Sequence, residues 1–272
     1  LLSQSARAQV AVPHTLELQD KELERTGIRL LREAFQLSQF DQAALALSRA
    51  KLAVQLLPNS SEAWALLGGL HLNSDQSQEG IIALENSKRL APDNAGVLFS
   101  LGSAYFRTER YTQAQRSIEE GLKLKPDNVD ALFDLGNTLY KLGNYDQAIA
   151  EYRKSFKQDK TLWPAVNNIG LVQYEAGNIE EAIESWKSAI EIDEKASEPK
   201  LALGVALYQQ GDKLAGLKLA QDALNIDFRY GEVEFLVENL WGDRLIADTE
   251  TLMQNPTIQA TLSSLQDETT AN

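Results

Sequence analysis

Apolar residues recur along the chain at intervals of three and four, the spacing of one helical face, and that pattern itself repeats. Rows of 34 residues beginning at Ser61, Ala95, Val129, Trp163 and Ser197 fall into register without a gap. The eighth position of every row is Gly: Gly68, Gly102, Gly136, Gly170 and Gly204. The seventh is aliphatic: Leu67, Leu101, Leu135, Ile169 and Leu203. The twentieth is tiny (Gly80, Ala114, Ala148, Ala182, Gly216), and so is the twenty-seventh (Ser87, Gly121, Ser155, Ala189, Ala223). A fixed period with fixed large and small positions marks a repeat architecture.

The third row shows why the spacing takes this form. Leu132, Leu135 and Leu139 make one stripe of a first helix, which Gly143-Asn144 stops, since both residues tolerate left-handed dihedrals. Asp146 to Phe156 makes a second helix with Ala148, Ile149, Tyr152 and Ser155 inward. Gly136 and Ala148 are expected to let the two helices approach closely where they cross. Neither helix buries its stripe alone, so hairpins must stack and share one core.

These rows resemble the tetratricopeptide repeat (TPR) family, most closely in LFDLGNTLYKLGNYDQAIAEYRKSF of the third row. The family's closing Pro is present as Pro92 and Pro126 and replaced by Lys160, Glu194 and Phe228 in later rows. The resemblance implies an all-α, right-handed superhelix of antiparallel helix pairs, an α-solenoid of about 13–15 helices. Flanking segments extend it. Asp20–Leu37 reads as a helix, and Phe40-Asp41-Gln42-Ala43 echoes Tyr145-Asp146-Gln147-Ala148. Residues 20–60 therefore read as a degenerate first repeat, with a second helix from Asp41 to Leu57. That alignment makes the interval from Ala43 to Pro58 three residues too long, so the unit is expected to lie outside the regular array of 61–230. In Asn59-Ser60-Ser61 a serine can N-cap the next helix. Past Tyr230 the phase is lost. Gly231–Trp241 suggests a helix broken by Gly242, and Asp243 is placed to N-cap Arg244–Met253. Residues 231–262 read as a C-terminal cap with a last helix opened by Pro256, and 263–272 as a flexible polar tail.

Composition narrows the function classes. A net charge of −13 argues against nucleic acid or an anionic membrane as main partner, since both need clustered Lys and Arg. There is no Cys, hence no disulfide or thiolate chemistry. No apolar run reaches the ~18 residues of a membrane helix, so no direct membrane insertion is expected. No metal-protease, EF-hand, P-loop or nucleophile-elbow motif occurs. Of the two histidines, His71 falls at a helix-packing position and reads as structural. The chain thus reads as no enzyme, with no cofactor. The N-terminus begins with Leu, and residues 1–19 read as an extended segment. There Ala6-Arg7-Ala8 before Gln9 has the small-x-small form of an export-signal cleavage site, though Ala-x-Ala also arises by chance. Asn239–Leu262 resembles a segment of cyanobacterial and chloroplast TPR proteins that assist photosystem assembly or chlorophyll synthesis at thylakoids. An exported, periplasmic or thylakoid-associated location is the corresponding expectation.

Within the TPR family, positions 2, 5, 6, 9, 12 and 13 of the first helix line a concave groove. Carried over, these positions yield Phe99 and Phe133; Asn168; Asn137 and Leu171; and Phe106, Tyr140, Tyr174 and Tyr208, with Asn167 at the fifth position of its row. The resemblance implies an aromatic ladder with interleaved amides, suited to a protein segment. A second reading packs some rings on neighbouring helices. Asp130, Asp134, Glu175 and Glu198 stand near the ladder against Arg107 and Lys141, favouring an extended or helical segment that is apolar with some basic residues. TPR domains that grip acidic chaperone tails need cations where this chain has Phe133, Glu198 and Ala202, so that ligand is rejected. The chain reads as a protein-binding scaffold, with self-association through the ends of the stack as the alternative.

Overall fold

The computed structural model describes residues 20–270, and side chains as far as Leu265. The export-signal site and the extended segment 1–19 lie outside the described residues. Among the described residues there are fifteen α-helices and no strand. None of these helices is long and apolar enough to cross a membrane. The chain divides into two compact units, the first ending at Leu90 and the second starting at Ala91.

The first unit holds α1 (Asp20–Gln39), α2 (Ala43–Leu56), α3 (Ser61–Asn73) and α4 (Ser77–Leu90). The second opens with four hairpins: α5 (Ala95–Arg107) with α6 (Tyr111–Leu124), α7 (Val129–Lys141) with α8 (Tyr145–Gln158), α9 (Trp163–Glu175) with α10 (Ile179–Ile192), and α11 (Ser197–Gln209) with α12 (Lys213–Ile226). Every first helix begins at its expected row start. Local chemistry sets those starts: Ser60, Asn94 and Asn128 accept the backbone N–H of Ala63, Val97 and Ala131, satisfying donors that a helix N-terminus leaves free.

The small eighth position does its work against a different residue than expected. Across the first four regular repeats, the space a Cβ would need is filled by Leu84, Ile118, Tyr152 and Trp186, each from the second helix of the same hairpin. Gly136 is thus a socket for the fully buried Tyr152 ring rather than a partner of Ala148. Backbones also come together where both small positions are Gly: Gly68 and Gly80 face each other's carbonyls in the first regular repeat, and Gly204 and Gly216 do so more closely in the fifth, where Ala220 replaces the large side chain.

The first repeat is in phase, contrary to expectation. The turn residue takes a positive φ at Asp41, Asp75, Glu109, Gly143, Gly177 and Gly211, each 34 residues after the last. Asp41 thus matches Gly143, so Ala46, not Ala43, is the twentieth-position residue, and the interval to Pro58 is regular. Asp tolerates the left-handed region better than most residues, which hid the match. What is irregular is α1, which starts seven residues before the phase requires.

The C-terminal cap also departs in detail. A 3-10 turn, Phe228–Gly231, precedes a short α13, Val233–Glu238. Next come α14 (Asp243–Met253) and α15 (Pro256–Thr270). Gly242 is the N-cap of α14 and Asp243 its first residue, so Asp243 is no cap. The tail expected from Ser263 is helical as far as Thr270, because α15 packs against α12, with Ile258 fully buried.

Gly136→Leu should destabilise by at least ~2–3 kcal/mol, since its side chain meets the Tyr152 ring; a melting temperature equal to wild type would contradict the socket. Glu109→Gly should stabilise by about 1 kcal/mol by relieving a left-handed non-glycine; urea unfolding with an unchanged or lower midpoint would contradict that.

Candidate functional site

The candidate site is the face of the second unit formed by α5, α7, α9 and α11. Part of it is filled by the chain itself. The segment from the 3-10 turn through α14 packs across α9 and α11. Trp241, Leu245 and Leu252 join Leu171, Tyr174 and Leu201 in one buried cluster. Leu240 reaches further, against the cluster that holds Phe133 and Tyr140.

Polar groups fasten this segment. The Tyr174 hydroxyl donates to Asp248 Oδ2 at 2.6 Å, and the Trp241 indole N–H to Glu198 Oε1 at 3.0 Å. Glu175 accepts the backbone N–H of Arg244 and of Leu245, at 3.3 and 3.0 Å. Those are first-turn donors of α14, so α9 supplies across space the cap that Gly242 lacks a side chain to provide.

Nine of the ten expected site residues fall into two groups, and Tyr140 stands apart. Asn167, Asn168, Leu171 and Tyr174 are buried within or beside the contact with the cap. Tyr174 also tilts onto Trp186 with ring centroids 5.6 Å apart. Phe99, Phe106, Phe133, Asn137 and Tyr208 remain half-buried. Their rings rest on their own hairpins: Phe99 over Gly121, Phe106 edge-on to Tyr111 at 5.4 Å, and Phe133 on Tyr152 at 5.6 Å. Tyr140 is buried against Tyr145, and Lys213 lies over the Tyr208 ring. The ladder therefore does two jobs. It stiffens each hairpin throughout, and it leaves ring surface open on α5 and α7 and at Tyr208 of α11.

Beneath the rings runs a polar chain. The Tyr152 hydroxyl donates to Asn137 Oδ1 at 2.7 Å. Asn168 Nδ2 donates to the same oxygen at 3.0 Å, and Asn167 Nδ2 to Asn168 Oδ1 at 3.1 Å. Glu198 ends the chain, buried beneath Trp241 and bonded also by Asn167 and Tyr230. Burial lifts its carboxyl to about 7 against those stabilising hydrogen bonds. Burial, with Asp130 nearby, lifts Asp134 to about 6. His71, in the first unit, is buried with Nδ1 2.6 Å from Gln76 Oε1, a packing role.

Sequence reasoning placed Glu198 and Glu175 near the groove but missed what they hold. The signal was available in part: Trp241 stands in a segment that breaks the repeat phase, and a large aromatic there must find a surface to cover it.

A family model described as the cytochrome c-type biogenesis protein H TPR domain matches residues 6–158. A TPR repeat model matches residues 170–211. Solved structures with this fold include MamA protein, at 24% identity over 64% of this chain and 94% of that one, with a TM-score of 0.60. YrrB, described as a TPR protein with an unusual peptide-binding site, shares 22% identity over 70% of this chain and 95% of its own, TM-score 0.60. Pseudomonas aeruginosa pilF shares 16% over 79% and 99%, TM-score 0.62. At these identities the likeness concerns the fold. No curated protein matches the sequence.

Two outcomes follow from the geometry. Tyr174→Ala removes a buried ring and the Asp248 bond, so it should cost about 3–5 kcal/mol; a near-native melting temperature would show the ring to be dispensable to packing. Glu198 and Asp134 both bind their protons more tightly folded than unfolded. Their penalty is absent below the unfolded values near 4 and complete above about 7 and 6, so stability should fall as pH rises through that window. Glu198→Gln should flatten the fall by up to about 3 kcal/mol, read from urea midpoints at pH 5 and pH 8; an unaltered slope would contradict the assignment.

Proposed function

The chain belongs to the family of the cytochrome c-type biogenesis protein H TPR domain, and from that premise we propose that it is a non-enzymatic scaffold binding a protein segment on the face of its second unit formed by α5, α7, α9 and α11. The observation that carries this reading is the partition of that face. Over α9 and α11 the chain's own cap lies in place, a helix seated on ring faces and amides. Over α5 and α7, Phe99, Phe106 and Phe133 keep part of their surface open beside Asn137. The segment seated on one part of the surface supports the reading that the other takes a segment of the same kind: short, helical or extended, and apolar. Asp130 and Asp134 add a preference for basic residues in the partner.

The setting we infer is assembly of a membrane-bound complex. It is supported by the family's description as a biogenesis domain and by the resemblance of Asn239–Leu262 to thylakoid TPR proteins, which extends the proposal to a photosynthetic complex and an exported or thylakoid-associated location. Self-association has one observation in its favour: Phe35 and Phe40 stand 56% and 74% exposed on the first hairpin. Light scattering that reports a monomer at all concentrations removes that reading.

A random peptide library displayed against the intact protein tests the scaffold. Enriched peptides should be apolar with scattered Lys or Arg, and should lose at least ~10-fold in affinity for Phe106→Ala with Phe133→Ala, as truncated aromatic anchors do. Leu214→Ala, a change at a residue 84% exposed on α12, should leave affinity unchanged. No enrichment, or loss only with Leu214→Ala, would contradict the proposal.

A further inference from the structure

The cap does not close evenly over the repeats. Between them it leaves a pocket of about 340 Å³, with Phe133, Asn137, Trp163, Pro164, Asn168 and Glu198 contributed by the repeats. Tyr230, Glu238, Asn239 and Leu240 complete it from the cap. Its chemistry is one-sided. The ten lining residues include two carboxylates and no Lys, Arg or His. Phe133, Trp163 and Tyr230 supply aromatic surface. The amide oxygens behind it are already engaged, Asn137 Oδ1 accepting twice and Asn168 Oδ1 once from Asn167, so the acceptors left to a ligand are the carboxylates of Glu198 and Glu238. Glu198 is 93% buried by accessible surface, with a residual exposure of 7%, and its bonded neighbours Trp241, Asn167 and Tyr230 are all uncharged donors. Glu238 and, from α7, Asp134 add only further negative charge nearby.

A buried carboxylate without a counter-cation is costly, and removing that cost is a source of binding energy. Aromatic walls attract cations through their ring faces. A guanidinium answers the whole set at once: it is planar, weakly hydrated, stacks on rings and brings five donors to a pair of carboxylates. We propose that this pocket, shared between the repeats and the C-terminal cap, is the anchor site for one arginine-like cationic side chain of the bound partner, paired with Glu198 and Glu238. The inference rests on the partner-binding reading for who carries that side chain, and adds the point at which the partner is registered on the face. It also gives the cap a recognition role beyond covering the last repeats, because four of the ten lining residues come from it.

The pocket is testable without the partner. Nα-acetyl-arginine methylamide is titrated against the intact protein at pH 8, where Glu198 is ionised, and followed by NMR of the Trp163 indole and the Asn168 and Asn239 side-chain amides. The neutral isostere Nα-acetyl-citrulline methylamide is the control. Arginine should shift these resonances saturably, with a dissociation constant in the millimolar range that about 0.3 kcal/mol per ligand atom allows. Citrulline should bind at least ~10-fold more weakly, as should arginine to Glu198→Gln, since each change removes a charge-assisted bond. Should Glu198→Gln fail to fold, Glu238→Gln at the mouth and the arginine–citrulline comparison still decide. Equal binding of arginine and citrulline, or no saturation with arginine, overturns the pocket. Such a result alongside peptides captured on Phe106 and Phe133 would leave the scaffold reading intact and remove only this inference.

Discussion

A stack of helix hairpins always has a last hairpin, whose apolar stripe has no successor to cover it. That constraint shapes the C-terminal part of this protein. Leu201, Leu224 and the face around Tyr174 would meet water if the chain ended with the fifth regular repeat. The cap answers in two directions: α15 packs on α12, and α14 turns back over α9 and α11. The second contact draws in Trp241, Leu245 and Leu252, which are all but fully buried. At ~1.5–3 kcal/mol for each such side chain, this burial holds the cap on the repeats. The cap is thus a built-in part of the binding face, and the free ring surface lies mainly on α5 and α7, with Tyr208 on α11.

Much of this was legible in the residues. The 34-residue phase located every first helix of the five regular repeats at its starting residue, because Gly, tiny and aliphatic positions each answer to a separate steric need. Where one residue type stands in for another, the reading failed. Asp41 performs the turn that Gly143 performs later, so the first repeat looked out of register when it was not. Gly136 looked like a backbone contact, and the ring of Tyr152 takes the space a side chain would need; the paired glycines Gly68 with Gly80 and Gly204 with Gly216 show the expected approach. These misreadings have a common cause. A small residue reports that space is needed, and its own sequence row does not say what fills it.

The site was legible as a list of positions and not as a surface. Phe133 and Asn137 were recognisable from their places in the row, as were Asn167, Leu171 and Tyr174. That the last three lie under a segment some seventy residues away is a tertiary fact, with no trace in a periodicity of 34. The same fact alters the electrostatics. Glu198, an ordinary surface acid by its position in a first turn, becomes a buried carboxyl held by Trp241, Tyr230 and Asn167. The cap therefore creates chemistry that the repeats alone do not have.

The central claim is that the chain's own cap permanently occupies the α9–α11 part of the face. Native-state hydrogen exchange measures this most directly. The account predicts that the amides of α14 are protected to a degree comparable with α9 and α11, and that all three lose protection together as denaturant is raised. Fast exchange across residues 243–253 while α9 and α11 stay protected would contradict it, and would return Asn167, Leu171 and Tyr174 to the surface open to a partner.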